Sequence, residues 1–544
     1  MMMQFSINRN SQKQIFRVLS AGMLATVCSL GITGCQSPNQ TLTNSDNEAL
    51  ETEPDINETE MVVSEDPFTD AEITEAIERE LEISRGISPA SILVATNEGI
   101  VTLSGSVNNI LAQERAERIA SMIKGTRAVI NEINVEPVPR TDAEILENIN
   151  SALVNDPVTE VWEIEPVVNN GVVTLGGEVD SWQEKQLASR VAKGVAGVKQ
   201  IDNQISINYK TQRSAPEIEQ DIQSALQWDA RVDSRLINVE VEGSQAILSG
   251  IVGSAFEKSL VITDAYVIGV MSVDAKNLEV EPWADEERMR AKILPELEDS
   301  AIRDAVQDAL LYDPRVAAFN LNVAVDEGAV TLSGTVDNLK AKRAAAQDAR
   351  NTTGVWRVET NINVQPQTEL TDNEIVENII TRLQRDPYVN RQEIGVTVEE
   401  GIARLNGRVE SYFEKWQAGD VAALAQGVTD VINQLEVSYN LPAEETSFYD
   451  WDPITEDYDY NYDNSIFSDR SDEALATAID AQLLWSPFVD EQQVEVSVDD
   501  GVARLTGTVD SWYEHAQATE EAYEGGAVTV MNNLEVSPNS NPLN

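Results

Sequence analysis

The chain has few of the residues from which catalytic and metal centres are built. Its 544 residues include one histidine, His515, and two cysteines, Cys28 and Cys35. Both cysteines lie near the N-terminus, so the rest of the chain can form no disulfide framework. No Ser-His-Asp or Cys-His arrangement can be argued from one histidine in a helical segment, and no glycine-rich phosphate loop is present. The sequence therefore predicts a protein that is not an enzyme and has no cofactor and no metal site.

Basic residues are also scarce. The chain has 38 Lys and Arg against 93 Asp and Glu, a net charge of −55. Nucleic-acid binding rests on Lys and Arg that neutralise phosphates, so this composition argues against a nucleic-acid partner. It also disfavours anionic lipid surfaces unless basic residues cluster locally. Hydrophobic residues make up 42% of the chain, which is enough for ordinary folded cores, and the length predicts several domains.

The N-terminus has the pattern of an export signal. Arg9, Lys13 and Arg17 precede an uncharged apolar run from Val18 to Ile32, which is too short to span a bilayer as a helix. The run ends in Ile32-Thr33-Gly34-Cys35, which resembles the lipobox of bacterial lipoproteins. That resemblance implies cleavage of residues 1–34 and lipidation of Cys35, giving a membrane anchor.

The residue after the lipidated cysteine suggests a location for the anchor. By the same resemblance, Gln36 favours the periplasmic face of the outer membrane. The alternative is an ordinary secretory signal with a chance cysteine. Residues 36–69 lack Lys and Arg and are rich in acids, which predicts that residues 35–69 form a flexible tether.

Internal repetition is the strongest signal in the chain. An aliphatic triplet with helical spacing recurs six times and starts at Ile73, Ile145, Ile218, Ile302, Ile375 and Leu475. A glycine that closes a strand-like pattern follows each start after 32 residues, at Gly105, Gly177, Gly250, Gly334, Gly407 and Gly507. A constant spacing of this kind predicts one fold repeated six times.

Each repeat reads as helix, strand, strand, helix, strand. Capping boxes such as Thr141-x-x-Glu144 begin the first helix, and Ser181-x-x-Glu184, Ser254-x-x-Glu257, Ser411-x-x-Glu414 and Ser511-x-x-Glu514 begin the second. Two alternating runs around a glycine turn predict a β-hairpin between the helices. We expect an α+β protein of six α-β-β-α-β modules, each with two helices on a three-stranded mixed sheet. We also expect the 32-residue glycine to let a helix approach the sheet closely.

The predicted organisation follows from these patterns. It comprises a signal peptide at 1–34, the acidic tether at 35–69, modules at 70–137, 141–208, 214–281, 299–364, 371–438 and 471–536, and an acidic-aromatic linker at 439–470.

Residues 327–364 carry a specific family resemblance. They read Glu327-Gly328-Ala329-Val330-Thr331-Leu332-Ser333-Gly334, then Gly354-Val355, then Asn361-Ile362-Asn363-Val364, which resembles the BON domain. The resemblance implies binding to membrane phospholipid and a role in envelope integrity and osmotic-stress protection, without catalysis.

The linker contains a motif like the start of a calcium loop. Asp457-Tyr458-Asp459-Tyr460-Asn461-Tyr462-Asp463 has oxygen donors at alternate positions. Tyr462 stands where such loops need glycine, and Ser468 where they need a bidentate glutamate. We therefore interpret the segment as an acidic linker and not as a metal site.

Aromatic residues recur just inside the second helix. Amphipathic rings favour membrane interfaces, and helix N-termini attract phosphate. Possible phospholipid-headgroup contacts are therefore Trp182, Phe256, Tyr412 and Trp512. The alternative is that these rings pack on the sheet or on a neighbouring module.

Together these patterns predict a non-catalytic, lipid-anchored envelope protein whose modules bind or brace phospholipid or envelope components under osmotic or envelope stress. The alternative is a structural spacer or protein-docking array in the periplasm without lipid recognition. The partners are then the membrane, through the anchor, and phospholipid or envelope proteins.

Overall fold

The computed structural model of the protein describes residues 68–83, 91–156, 158–159, 163–285, 297–317, 319–366, 370–389, 393–409, 412–437, 471–499, 501–527 and 529–536. The predicted signal peptide, Cys35, most of the tether and the linker at 439–470 with its calcium-like motif lie outside these residues.

The helices of the described residues come in pairs, one pair in each module. They are α1 (Asp70–Ile83), α2 (Ile110–Met122), α3 (Asp142–Asn155), α4 (Trp182–Lys193), α5 (Ala215–Trp228), α6 (Ala255–Asp264), α7 (Asp299–Tyr312), α8 (Leu339–Arg350), α9 (Asp372–Arg385), α10 (Tyr412–Ala423), α11 (Asp472–Trp485) and α12 (Trp512–Glu524).

The strands follow the same order in every module. They are β1 (Ile92–Asn97), β2 (Ile100–Val107), β3 (Ala128–Val135), β4 (Ile164–Asn169), β5 (Val172–Val179), β6 (Gln200–Asn203), β7 (Ser206–Ile207), β8 (Ile237–Glu242), β9 (Gln245–Val252), β10 (Ser272–Val280), β11 (Asn322–Asp326), β12 (Ala329–Val336), β13 (Arg357–Val364), β14 (Ile394–Glu399), β15 (Ile402–Val409), β16 (Asp430–Val437), β17 (Val494–Asp499), β18 (Val502–Val509) and β19 (Thr529–Val536).

The predicted α+β fold is confirmed in all six modules. The middle strand pairs antiparallel with the first strand of its module and parallel with the last, which makes each sheet mixed. In module 2 the last strand is interrupted into β6 and β7, and both pair with β5. The triplets are buried as expected, and their middle residues Ile77, Ile149, Ile222, Val306, Ile379 and Ile479 are each 0% exposed.

The hairpin turn is held by the first helix, a contact that the sequence patterns did not reveal. Two residues with positive φ form the turn, as at Glu98 (φ 52°) and Gly99 (φ 72°), which suits a tight two-residue hairpin. The carboxylate of Asp70, the first residue of α1, accepts hydrogen bonds from both turn N–H groups at 2.9 Å. Equivalent aspartates bind the turns of modules 2, 4, 5 and 6: Asp142, Asp299, Asp372 and Asp472. Module 3 has Ala215 in this place and the divergent turn Gly243-Ser244.

The glycine at the 32-residue spacing serves a different purpose from the one expected. A Cβ at Gly105 would lie 1.9 Å from the carbonyl oxygen of Ser91, just before β1, and not against a helix. The same crowding by the chain before the first strand occurs at Gly250, where the carbonyl oxygen of Leu236 is 2.0 Å away. Both glycines have φ near 120° (121° and 118°), where side chains are strained. The expectation of a close helix approach is therefore wrong, because the backbone just before the first strand of the module fills the space.

Candidate functional site

The N-terminus of the second helix is occupied by the protein's own side chains. In module 3 the Ser254 hydroxyl accepts the N–H of Glu257 at 3.1 Å. The Glu257 carboxylate does not close a capping box on Ser254. It accepts the N–H of Gly253 at 2.8 Å and that of Asp233 at 2.7 Å. Module 6 repeats this arrangement with Glu514, Asp510 and Asp490. In both modules a buried carboxylate therefore stands where an incoming phosphate would bind.

The aromatic residues of modules 2 and 3 contact other modules. The Trp182 ring stacks on Tyr266 of module 3, with centroids 4.3 Å apart and planes 6° from parallel. The Phe256 ring is buried and meets Phe488 of module 6 edge-on at 5.4 Å. Phe488 in turn meets Tyr513 of its own module edge-on at 5.2 Å.

Trp512 joins module 6 to module 4. Its backbone N–H donates to the carbonyl of Val355 at 3.3 Å, and its ring stacks on His515 with centroids 4.4 Å apart. Burial lowers the pKa of His515 to about 4, so this imidazole is neutral near pH 7. Tyr412 begins α10, and its side chain lies outside the described part of the structure. Three of the four candidate rings thus have protein neighbours, and their role in headgroup binding stays a prediction.

One backbone hydrogen bond between modules recurs three times. The donor is the residue before the glycine that follows the second helix, and the acceptor is the last residue of another module's first helix. The pairs are Lys124 to Trp485 (3.2 Å), Ala196 to Arg385 (2.8 Å) and Thr353 to Trp228 (2.8 Å). They connect module 1 with 6, module 2 with 5 and module 4 with 3.

Two further contacts among modules 1–3 recur at the equivalent positions among modules 4–6. Ile110 at the start of α2 belongs to the core of module 2, and Leu339 at the start of α8 belongs to the core of module 5. The Ala255 N–H bonds to Thr126 of module 1 at 3.2 Å, as the Trp512 N–H bonds to Val355 of module 4. Modules 1–3 therefore make among themselves several of the contacts that modules 4–6 make.

A buried ion pair links modules 2 and 4. The Lys340 ammonium lies 2.9 Å from the Asp156 carboxylate, and their side chains are only 4% and 3% exposed. Burial by itself would raise the pKa of Asp156, but Lys340 and Arg382 outweigh it and hold that pKa below its usual value. Arg382 of module 5 also donates to the carbonyl of Asn155 at 2.5 Å, so three modules meet at this point.

Three carboxyl groups meet between modules 1 and 6. Burial raises the pKa of Glu80 in α1 and of Glu524 in α12, and it raises the pKa of Glu521 to about 7. Repulsion among the three adds to the shift for Glu521 and Glu524. Hydrogen bonds from Ser486 and Gln517 oppose the shift at Glu521, and a hydrogen bond from Gln482 and the charge of Arg79 oppose it at Glu80. We call this group the Glu80–Glu521–Glu524 cluster.

The cluster predicts an acid-stabilised contact between modules 1 and 6. A carboxyl whose folded pKa is raised stabilises the fold fully below its unfolded pKa, about 4.5, and this stability is lost as pH rises through the folded value, about 7 for Glu521. We expect the melting temperature to fall between pH 5 and 8.5, and Glu521→Gln to flatten that fall. Calorimetric melting across this range tests the expectation.

The control for this experiment is Glu495→Gln, which removes an exposed carboxyl from strand β17 of the same module. This variant should keep the pH dependence of the wild type. Equal slopes for Glu521→Gln and the wild type would show that the cluster does not govern the pH response.

The described residues contain neither a membrane-spanning helix nor a metal site. None of their helices is long and apolar enough to cross a membrane. None of their His, Cys, Asp and Glu side chains form a group that could hold a metal ion.

Comparison with known families gives six matches in this chain. The BON domain matches residues 69–137, 141–209, 214–282, 298–366, 371–439 and 471–538. The osmotically-inducible protein Y of Escherichia coli K12 is 28% identical over 143 residues, which is 25% of this chain and 71% of that protein. An uncharacterised protein encoded in the gshII 5′ region of Anaplasma centrale is 31% identical over 150 residues, which is 26% of this chain and 98% of that protein.

Among solved structures, the chain is similar to CdsD, described as a structural protein of the type III secretion system of Chlamydia trachomatis. The match has 14% identity and a TM-score of 0.12, and it covers 38% of this chain and 92% of the other. A structure of the CdsD C-terminal domain matches with 12% identity and a TM-score of 0.11. These scores support no functional comparison.

The six family matches together span well over half of the chain and coincide with the six folded modules. The protein belongs to the BON-domain family.

Proposed function

We propose that this protein is a lipid-anchored envelope protein whose packed BON modules brace the membrane during osmotic or envelope stress, with module 1 as the phospholipid-contacting module. The lipobox-like Ile32-Thr33-Gly34-Cys35 supports the anchor, and the likeness to an osmotically-inducible protein supports the stress role. The observation that carries the phospholipid contact is the outer face of the module 1 sheet.

That face is nearly uncharged and carries three exposed large apolar side chains among smaller polar ones. Leu93 is 69% exposed, Ile130 is 48% exposed and Ile100 is 39% exposed, and they stand on three adjacent strands. The alternation of the strands places Ala95, Thr102 and Ala128 on the same side, with Glu132 as the one charged residue. In a chain with a net charge of −55, a face with so little acid is suited to a zwitterionic headgroup layer.

The position of module 1 in the chain supports the same assignment. It is the first module after the tether, so an anchor at Cys35 would keep it closest to the bilayer along the chain. A tethered surface binds at a high effective concentration, and weak apolar contacts are then sufficient. The helix N-termini are poorer candidates, since Glu257 and Glu514 occupy them in modules 3 and 6.

Vesicle flotation of a non-acylated chain lacking residues 1–35 tests the proposal. We expect this chain to float with phosphatidylcholine vesicles, and Leu93→Glu combined with Ile130→Glu to reduce the bound fraction about tenfold, because each apolar side chain contributes roughly 1–2 kcal/mol on burial.

The matched control is Val167→Glu, an equally drastic change on the outer face of the module 2 sheet, where Val167 is 63% exposed. This variant should float like the unmodified chain. An absence of binding to zwitterionic and anionic vesicles at every salt concentration would remove lipid recognition and leave only the anchor.

A second candidate function is a docking array for envelope proteins without lipid recognition. The observation in its favour is that Trp182, Phe256 and Trp512 are engaged by protein neighbours. Co-purification with an envelope protein that survives the loss of vesicle binding would support this function over the first.

A further inference from the structure

A cavity of about 380 Å³ lies where modules 3 and 4 face each other. The ends of their first helices, α5 and α7, line it together with residues of α6 and α8, and α4 of module 2 adds a third wall. The two modules are joined beside it by backbone hydrogen bonds from Ala230 to Asn351 (2.9 Å) and from Thr353 to Trp228 (2.8 Å).

The lining is repeated in the two modules. Asp229, Arg231 and Asp264 of module 3 recur in module 4 as Asp313, Arg315 and Asp348, each 84 residues later, and all six line the cavity. The same surface of two consecutive modules therefore faces one space, as in the self-complementary interface of a dimer. A ligand with two equivalent ends matches such a space better than one with a single end.

Each module contributes to the cavity a pair of neighbouring carboxyl groups, one of which forms an ion pair with an arginine. Asp229 is bound by the Arg231 guanidinium at 2.6 Å, and Asp313 is bound by Arg315 at 2.6 Å. These two carboxylates are thereby neutralised. Asp264 and Asp348 interact with Asp229 and Asp313, and burial followed by the neighbouring carboxylate raises the pKa of both.

Carboxyl groups outnumber cations in the rest of the lining. After the two Asp–Arg pairs, the cavity has Asp221, Asp264, Asp308 and Asp348 against one further cation, Arg190. The Oδ2 atoms of Asp264 and Asp348 are buried and have no hydrogen-bond partner among the described residues, whereas Asp221 Oδ2 lies 3.6 Å from the Arg213 guanidinium. Buried acceptors of this kind are costly unless a donor reaches them.

Aromatic rings complete the wall. Trp228 ends α5, Tyr312 occupies the matching place at the end of α7, and Trp182 stands at the start of α4. Aromatic faces attract organic cations and pack against aliphatic chains. The excess of carboxyl groups would repel an anion. The described residues form no group that could hold a metal ion.

We propose that this cavity binds a small linear organic dication, an aliphatic diamine with an ammonium group at each end. One ammonium donates to the carboxyl groups on the module 3 side and the other to those on the module 4 side, while the methylene chain lies against the aromatic rings. The ligand thereby links modules 3 and 4 and presses α4 of module 2 against them.

Binding is coupled to proton release. An ammonium favours the ionised form of Asp264 and Asp348, whose protons leave as the ligand enters. The charged groups that face these two carboxyls are Asp229, Asp313, Arg231 and Arg315, with Asp221, Asp308 and Arg190 elsewhere in the cavity. Affinity should therefore rise with pH until both carboxyls are ionised in the free protein.

Titration calorimetry on the chain from residue 36 onward, which keeps all six modules, tests the proposal. The probes are 1,4-diaminobutane, 1,5-diaminopentane, 1-aminobutane and succinate, in about 0.3 M salt to suppress diffuse counterion binding. We expect one diamine per chain, bound at least tenfold more tightly than the monoamine, no succinate binding, and a heat that depends on the buffer because protons are released.

Asp264→Asn combined with Asp348→Asn should weaken diamine binding at least tenfold. Asp274→Asn, which removes a carboxyl of module 3 that does not line the cavity, should leave it unchanged. Ala309→Phe fills the cavity without a charge change and should also abolish binding, which guards against misfolding of the double variant. Equal affinities for mono- and diamine, many weak sites, or binding that survives Ala309→Phe would each overturn the proposal.

Discussion

Gly250→Ala should destabilise module 3 by roughly 3 kcal/mol, whereas Gly243→Ala in the same module should cost about 1 kcal/mol. Both glycines have positive φ, 118° and 64°. A Cβ at Gly250 would stand 2.0 Å from the carbonyl oxygen of Leu236, while a Cβ at Gly243 would meet nothing within 4 Å. The difference therefore measures steric exclusion by the Leu236 carbonyl just before β8 more than backbone preference.

Urea unfolding combined with hydrogen exchange of the β8 and β9 amides gives the measurement, since exchange assigns the loss to module 3. Similar losses for the two variants would show that the segment before β8 moves aside, contrary to the tight packing at Gly250. The 32-residue spacing would then reflect sequence repetition without a steric requirement.

Lys340→Met should cost about 3–5 kcal/mol, because it leaves the Asp156 carboxylate buried without its ammonium partner. Asp156 is 3% exposed, so water cannot replace the lost charge. The double variant Lys340→Met with Asp156→Asn should recover part of the stability, because the uncompensated charge is removed together with its partner. Denaturant midpoints of the two variants and the wild type provide the comparison.

Lys276→Met is the matched control. Lys276 also pairs with an aspartate, Asp274 at 3.1 Å, but its side chain is 85% exposed. Solvent screens such a pair, and the midpoint should not change. A similarly small effect for Lys340→Met would indicate that modules 2 and 4 separate readily in solution, and the packing of the six modules would need revision.

Local sequence patterns were sufficient to predict the module but not some of its internal contacts. Helical spacing in the triplets and alternation in the hairpins depend on neighbours within a few residues, so both can be recognised along the chain. The contact between Asp70 and the Glu98–Gly99 turn spans 28 and 29 residues. It could have been suspected from the recurrence of aspartate before the triplet in five modules and its absence at Ala215.

The aromatic residues at the start of the second helix show why the sequence alone could not predict their contacts. An aromatic residue at the start of a helix gives the same sequence pattern whether its ring faces lipid or another module. The stack of Trp182 on Tyr266 and the edge contact of Phe256 with Phe488 depend on residues that lie far away along the chain. The cavity between modules 3 and 4 likewise arises only when two copies of one surface face each other.

The sequence by itself determined the composition and the six α-β-β-α-β modules, because periodicity and fixed spacing act locally and repeat. Only the tertiary structure decided which modules meet. Lys340 and Asp156 are 184 residues apart in sequence, and Lys124 and Glu491 are 367 apart. Such contacts follow from the complementarity of whole surfaces and not from spacing within one module, so no local pattern could predict them.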